Sequence, residues 1–510
     1  MSTPSTIHEL LQSGKDSSAA ISGIDRPDLC YADLRELVST TAASLNGLGI
    51  GRNDRVAIVL PNGPEMAAAF VAIAACATTA PLNPAYTQEE FEFYLTDLNS
   101  KALLVEKGSD SPAVEAARTH NIPLLELESE TSLPAGCFSI NAQGEGKAAR
   151  NENTGMAAAD DIALVLHTSG TTSRPKIVPL SHRNVCSSAA NIQNTLGLEP
   201  DDVCMNIMPL FHIHGLMAAV LATLGKGASV CCTPGFDALR FYSWLDRAKP
   251  TWYTAVPTMH QTIVARAKRN QAVVQESRLR FIRSSSSSLP PQVLHELEKT
   301  FEVPVVEAYA MTEASHQMTC NQLPPGVRKP GTVGCAAGPE VAIMSESTAD
   351  LLAQGQTGEI VIRGDNVTLG YENNPVANAE NFVNGWFRTG DQGVMDEDGY
   401  LTITGRLKEI INRGGEKISP REVDEVLMDH PAVQQVVTFA MPHKSLGEEV
   451  AAAIVLREGQ SADEAEFRTF AAERLANFKV PRRILILEEI PKGPTGKLQR
   501  IGLAEKLGLD

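Results

Sequence analysis

The chain has 510 residues, 43% hydrophobic and 21% charged, with a formal net charge of −17. That length exceeds one ordinary domain and predicts two or three. An acidic balance repels phosphate backbones, so it argues against nucleic acid or an anionic membrane as main partner, while leaving room for a local cationic pocket that takes a small anion.

The opening "MSTPSTIHELLQSGKDSS" (1–18) has no apolar core and does not read as a secretory signal. "RVAIVL" (55–60) reads as a buried strand. "NGPE" (62–65) then opens the apolar "MAAAFVAIAACATTAPL" (66–82), with Pro near the first helical position and Pro81 as the stop. The stretch is shorter than the roughly 20 residues of a membrane span, so it predicts a buried helix. "ALLVE" (102–106), "IPLLEL" (122–127) and "IALVL" (162–166) are further strands, and the amphipathic stretches between them predict βαβ units and largely parallel sheets. The polar, Gly-rich run 128–160 reads as an exposed connection. "GASVCCTPG" (227–235) reads as strand.

The last hundred residues change character. "SPRE" (419–422) fits a capping box that opens a helix running to about His430. "VQQVVTFA" (433–440) and "VAAAIVLR" (450–457) are strands, "SADEAEFRTFAAERLANF" (461–478) an amphipathic helix, and "ILILEEI" (484–490) a last strand. The expected division is a large domain, 1–405, and a small α+β domain, 406–510, meeting in "GRLKE" (405–409). Nine cysteines with no CxxC pair predict buried thiols in a reducing compartment, with no disulfide framework or zinc site. The ending "LGLD" is no peroxisomal tripeptide. A cytoplasmic, soluble protein, monomer or homodimer, is the expectation.

Chemistry concentrates in "HTSGTTSRPKIVPLSH" (167–182), directly after the strand "IALVL". A hydroxyl- and Gly-rich loop can surround an anion with N–H and O–H groups, and Lys176 adds charge. It is not a Walker A loop, because G-x-x-x-x-G-K-[ST] is absent. Taken alone, "SGTTS" fits a Ser/Thr-rich surface turn better.

Further on stand "YAMTE" (309–313), "GWFRTGD" (385–391), "GRLKEIINRGGEKISP" (405–420) and "PKGPTGKLQR" (491–500). In this order and spacing they resemble the adenylate-forming superfamily of acyl-CoA synthetases, firefly luciferases and peptide-synthetase adenylation domains, over essentially the whole chain. Ala310 departs from the pattern, which commonly has Gly there. The resemblance implies an α/β fold: a large N-terminal ATP- and acid-binding domain with mainly parallel sheets sandwiched by helices plus a distorted barrel, then a small mobile C-terminal domain hinged near Lys408. It implies ATP, Mg²⁺ and coenzyme A as reactants and cofactor, and two half-reactions. The first forms acyl-adenylate and pyrophosphate, the second acyl-CoA and AMP.

Residue by residue, the resemblance makes Thr168, Ser169, Gly170, Thr171, Thr172 and Lys176 the triphosphate loop. It extends the nucleotide site to Glu307, Ala308 and Tyr309, with Tyr309 stacked on adenine. Thr312 would bond the α-phosphate, and Glu313, with Thr168, would hold Mg²⁺, since a hard cation takes oxygen ligands. Asp391 and Arg406 would hold the ribose, Arg406 reaching the ribose or the phosphate. Lys497 would stabilise charge building on the α-phosphoryl group, a contact whose loss costs on the order of 10²–10³ in rate. Gly414 and Gly415 would leave room for the pantetheine arm. Outside that resemblance, Tyr309 reads as core, Glu313 and Lys497 as solvated, and Asp391 as a turn residue.

The acid pocket is implied around "PLFHIHGL" (209–216), "TWYTAVPTMH" (251–260), "FIRSSSSSLPP" (281–291) and "TEASH" (312–316). His212, His214, Ser285, Ser286, Ser287 and His316 make it polar. A long hydrocarbon would leave those groups unpaired, at about 1–3 kcal/mol each. These stretches resemble the oxalate–CoA ligase branch, related to 4-coumarate–CoA ligases. The expected substrate is therefore oxalate, with His316 and Ser286 or Ser287 on the distal carboxylate and His212 near the reacting one. Packing remains the other reading for His214, and a turn the other reading for the Ser run. The alternatives are a 4-coumarate-like or medium-chain acyl-CoA ligase, a stand-alone enzyme loading a carrier protein, and a non-catalytic nucleotide sensor. The last should have lost Glu313 or Lys497, and both are present.

Overall fold

Apolar runs and amphipathic stretches assemble into two sheets with parallel centres. The computed structural model describes residues 4–143, 153–168, 175–491 and 498–509. These fall into two units: one holds the described residues up to 168, 175–341 and 362–387, the other 342–361 and everything from 388 on.

In the first unit a seven-stranded sheet runs in the order Ser139–Gln143, Leu124–Glu128, Ala102–Glu106, Arg55–Val59, Thr78–Pro81, Ile162–Thr168, Lys176–Ser181. Only its two outermost pairings are antiparallel. Two sequence expectations are corrected here. The apolar stretch 66–82 is not one helix: the helix is Pro64–Ala74, and Thr78–Pro81 is a strand. The β-branched Thr78 and Thr79 suit a pleat, and their hydroxyls donate to the carbonyls of Ile162 (2.6 Å) and Ala163 (2.8 Å). The connection 128–160 carries the edge strand Ser139–Gln143, because Ile140 sits opposite Leu127.

The second sheet has nine strands, ordered Cys335–Ala336, His316–Cys320, Val305–Met311, Phe281–Ser285, Trp252–Ala255, Val203–Asn206, Ser229–Cys232, Ala19–Gly23, Leu29–Cys30. Its five central pairings, from Val305–Met311 across to Ala19–Gly23, are parallel. Parallel strands need both faces covered. Helix Pro64–Ala74, buried from Met66 onward, touches strands of both sheets. So does helix His182–Leu196, whose N-terminus is closed by a capping box between Ser181 and Asn184.

The second unit contains the antiparallel strand Leu401–Arg406, which pairs with Trp386–Met395, and a sheet in the order Glu416–Ile418, Ile411–Arg413, Gly447–Leu456, Val433–His443, with Arg483–Ile486 alongside Gly447–Leu456. The expected boundary at 405/406 falls inside this unit. Ser419 caps helix Pro420–Met428 by accepting from Glu422 N (3.5 Å), while the Glu422 carboxylate accepts from Lys479 Nζ (2.6 Å). The helix expected over 461–478 spans only Glu464–Ala472. Leu475 N still bonds back to the Ala471 carbonyl (2.8 Å), but Ala476 is extended (φ −58°, ψ 142°) and ends the period.

All nine cysteines are free thiols. Burial pushes Cys76 and Cys186 up to about 12 and Cys231 and Cys320 up to about 11, which makes them packing residues rather than nucleophiles. Among the described residues no helix is long and apolar enough to cross a membrane.

Candidate active site

One hairpin of the nine-stranded sheet carries five of the expected nucleotide and magnesium residues, Glu307, Ala308, Tyr309, Thr312 and Glu313, and one of the acid residues, His316. Val305–Met311 returns as His316–Cys320, with Met311 opposite His316 and the 3-10 turn Thr312–Ala314 between them. On the first strand, Glu307 is buried and its Oε1 accepts from Leu289 N (2.8 Å), which anchors the chain just after the serine run. The Ala308 carbonyl accepts from Ser285 Oγ (2.9 Å). Tyr309 is buried and Thr312 half-buried.

Glu313 is 6% exposed, and its Oε1 accepts from Tyr371 Oη at 2.8 Å. The Lys176 ammonium lies 4.3 Å from the centre of the same Tyr371 ring, a cation–π distance. The reversal is braced from several sides. Thr368 N donates to the Glu313 carbonyl (2.7 Å), Asn366 Nδ2 to those of Ala314 (2.8 Å) and Gln317 (3.1 Å), and Ser188 Oγ to that of Ser315. Ser315 and His316 have φ of +47° and +100°, a left-handed geometry that costs non-glycine residues about 1–3 kcal/mol each. The bracing supplies what that conformation lacks.

Around His316 lies a buried polar cluster. The His316 ring stacks on His214 at 4.9 Å, and neither of its nitrogens has a hydrogen-bond partner among the described residues. Burial first, then the charges of Arg283 and His214, hold His316 well below the usual imidazole range, so it is neutral at neutral pH. His214 opens the π-helix His214–Leu221, a form frequent at functional sites. Its Nδ1 lies 3.0 Å from Ser286 Oγ and its Nε2 2.6 Å from Thr254 Oγ1. Ser286 and Ser287 are exposed, and Ser286 has φ +73°. His212 is half-buried against Phe211, 4.6 Å ring to ring.

Sequence reading did not single out Arg283. This residue is fully buried, and its guanidinium donates to Gln317 Oε1 (3.2 Å) and Thr254 Oγ1 (3.4 Å) and faces His214 Nε2 at 3.5 Å. Among the described residues it pairs with no carboxylate, and its Nε has no acceptor. Burial lowers it to about 10, so it stays charged at neutral pH. The available signal was the second arginine of "LRFIR" (279–283), which follows the apolar pair Phe281-Ile282 with no acidic residue beside it.

The remaining expected residues are distributed as follows. Thr168 and Lys176 face each other across the strands that flank the hydroxyl loop. Ser169, Gly170, Thr171, Thr172 and Lys497 lie outside the described residues. In the second unit, Asp391 sits opposite Arg406, whose Nε donates to Asp391 Oδ1 (3.1 Å). Lys408 is exposed just beyond. Gly414 and Gly415 form the turn between Ile411–Arg413 and Glu416–Ile418, both at positive φ (+61° and +102°). A Cβ on Gly414 would come within 3.0 Å of Leu446 Cδ2.

The family described as AMP-binding enzyme matches residues 11–372, and its C-terminal domain matches 422–497. The chain belongs to the AMP-binding enzyme family. Within it, the chain is 46% identical over 487 residues to an oxalate–CoA ligase of Arabidopsis thaliana, covering 94% of each sequence. It is 44% identical to an oxalate–CoA ligase of Saccharomyces cerevisiae, over 89% of this chain and 87% of that one. The solved structure of ATP-bound MatB from Rhodopseudomonas palustris matches at TM-score 0.87 and 28% identity over 98% of both chains. The chain thus has the adenylate-forming fold expected from its motifs, and it is an AMP-forming carboxylate–CoA ligase.

Proposed function

We propose that the acid this ligase activates is oxalate. The observation that carries the reading is the buried cluster of His214, His316 and Arg283, donor-rich and without a carboxylate of its own. A hydrocarbon tail would offer nothing to the His316 ring or to the Arg283 charge, whereas a second carboxylate is an acceptor and a counter-charge for them. In the first step a carboxylate oxygen bonds to the α-phosphorus of ATP and pyrophosphate leaves. In the second, the CoA thiol bonds to the acyl carbon, its proton is released and AMP leaves.

In this scheme Thr168, Ser169, Gly170, Thr171, Thr172 and Lys176 surround the β- and γ-phosphates, and Glu307, Ala308 and Tyr309 border the adenine. Thr312 donates to the α-phosphate. Asp391 accepts from the ribose hydroxyls, and Arg406 lies beside it. Lys497 supplies positive charge to the α-phosphoryl oxygens as they gain negative charge. Glu313, held by the Tyr371 hydroxyl, and Thr168 offer the hard oxygen donors that Mg²⁺ takes. Bound there, the ion would neutralise charge on the phosphate oxygens. His316 and Ser286 or Ser287 take the distal carboxylate, and His212 stands by the reacting one. Between the steps the small domain turns about Lys408, bringing Gly414 and Gly415 to the path of the pantetheine arm.

Initial rates of pyrophosphate release with oxalate, hexanoate and cinnamate test this. Oxalate is expected to give the highest kcat/KM, and a preference for either of the other two acids overturns the reading.

A further inference from the structure

We propose that Arg283 is the positioning residue that makes the pocket select a doubly charged acid, by setting the tautomer of His214 through Thr254 and by supplying the counter-charge for a second carboxylate. The inference rests on the oxalate reading and deepens it.

The guanidinium has only N–H donors. In the proposed arrangement the His214 nitrogen that faces it at 3.5 Å, Nε2, carries no hydrogen, and its lone pair accepts from Thr254 Oγ1 at 2.6 Å. The Thr254 hydroxyl in turn accepts from Arg283 Nη1 (3.4 Å). The hydrogen of His214 is thereby on Nδ1, which donates to Ser286 Oγ at 3.0 Å. Ser286 is exposed, so its own hydroxyl hydrogen is left to donate to the acid. Gln317 holds the guanidinium from its other side through Oε1 (3.2 Å), and its Nε2 is committed to Thr195 Oγ1 (3.1 Å) and the Ala337 carbonyl (3.2 Å). Among the described residues, Arg283 therefore has neighbours that orient it and no carboxylate that neutralises it.

A buried cation without a counter-charge is costly. Its retention beside a histidine with two unpartnered nitrogens points to an anion that arrives from outside. The first carboxylate of any acid is consumed at the phosphorus. Only an acid with another negative group gains from Arg283. A monocarboxylate leaves the cation as it found it.

The test compares oxalate with oxamate, in which an amide replaces the second carboxylate at nearly the same shape. In Arg283→Met, kcat/KM for oxalate is expected to fall by about 100-fold, the effect of deleting one member of a buried charge pair, while oxamate changes by less than about threefold. Arg283→Lys restores part of the preference. Thr254→Val keeps the charge but breaks the relay, and is expected to raise KM for oxalate by about tenfold, the worth of one hydrogen bond to a charged group. Equal losses for oxalate and oxamate in Arg283→Met, or an unchanged oxalate-to-oxamate ratio in Thr254→Val, overturn the proposal. The Thr254 arm decides the matter even where Arg283→Met does not fold. A wild-type protein that prefers hexanoate to oxalate fails the substrate reading itself, a result obtained before any variant is made.

Discussion

At the scale of single residues, His316 places function and stability in opposition. Among the described residues its two buried nitrogens lack hydrogen-bond partners, and its backbone is left-handed. Each unsatisfied buried group costs about 1–3 kcal/mol. His316→Leu keeps the volume and removes both. The variant is expected to melt at a higher temperature than the parent while losing at least about tenfold in kcat/KM for oxalate. A lower melting temperature with intact turnover would mean that the imidazole serves packing alone. Lys497→Ala is expected to slow pyrophosphate release by about 10²–10³ without lowering the melting temperature, because stabilisation of charge in the transition state adds nothing to the ground-state fold.

At the scale of elements, Gly215 is the position where the π-helix can least tolerate a side chain. A Cβ there would stand 2.6 Å from the Pro209 carbonyl oxygen, and that oxygen is backbone and cannot swing away. Gly215→Ala is expected to cost about 1–3 kcal/mol and to move the neighbouring His214, so denaturant titration and oxalate kcat/KM should fall together. What the sequence made legible at this scale follows from period and punctuation. Strands such as Ala102–Glu106 and Ile162–Thr168 were bounded by turn residues and read correctly. The end of helix Pro64–Ala74 was hidden because an all-buried, Ala-rich run has no polar face to interrupt. The strand Ser139–Gln143 was hidden because an edge strand facing water needs few apolar residues. The motifs located Tyr309, Thr312 and Glu313, and the fold put them on one hairpin with His316. Arg283 was illegible because its partners, His214, Thr254 and Gln317, are distant in sequence and adjacent only in the sheet.

At the scale of the whole molecule, buried histidines set the response to acid. Burial holds His182 and His260 at about 4, against an ordinary value of 6.5. The unfolded chain therefore takes up protons between about pH 6.5 and 4 while the native chain does not, and stability is lost as pH falls through that window. Each histidine contributes on the order of 3 kcal/mol to the full change. The melting temperature should drop steadily from pH 7 to pH 5. Replacing both residues by Gln should flatten that slope, and a slope left unaltered would assign the acid response to other groups. The two-step chemistry gives a second whole-molecule expectation. Lys408→Pro, by stiffening the junction, should leave pyrophosphate release within about threefold of the parent and depress thioester formation at least about tenfold. Equal loss of both would count against a hinge at that position.

The tight reversal from Thr312 to His316 also bears on how such an enzyme can diversify. One short, strained segment holds both the carboxylate expected to serve the nucleotide and the imidazole expected to serve the acid. A lineage that retools the imidazole for a new acid also levers the carboxylate on which every acid depends. Drift towards other substrates is thus channelled into the neighbouring strand and the turn after it, where Arg283 and Ser286 can be exchanged without touching the nucleotide residues, while Ser285 stays tied to the Ala308 carbonyl.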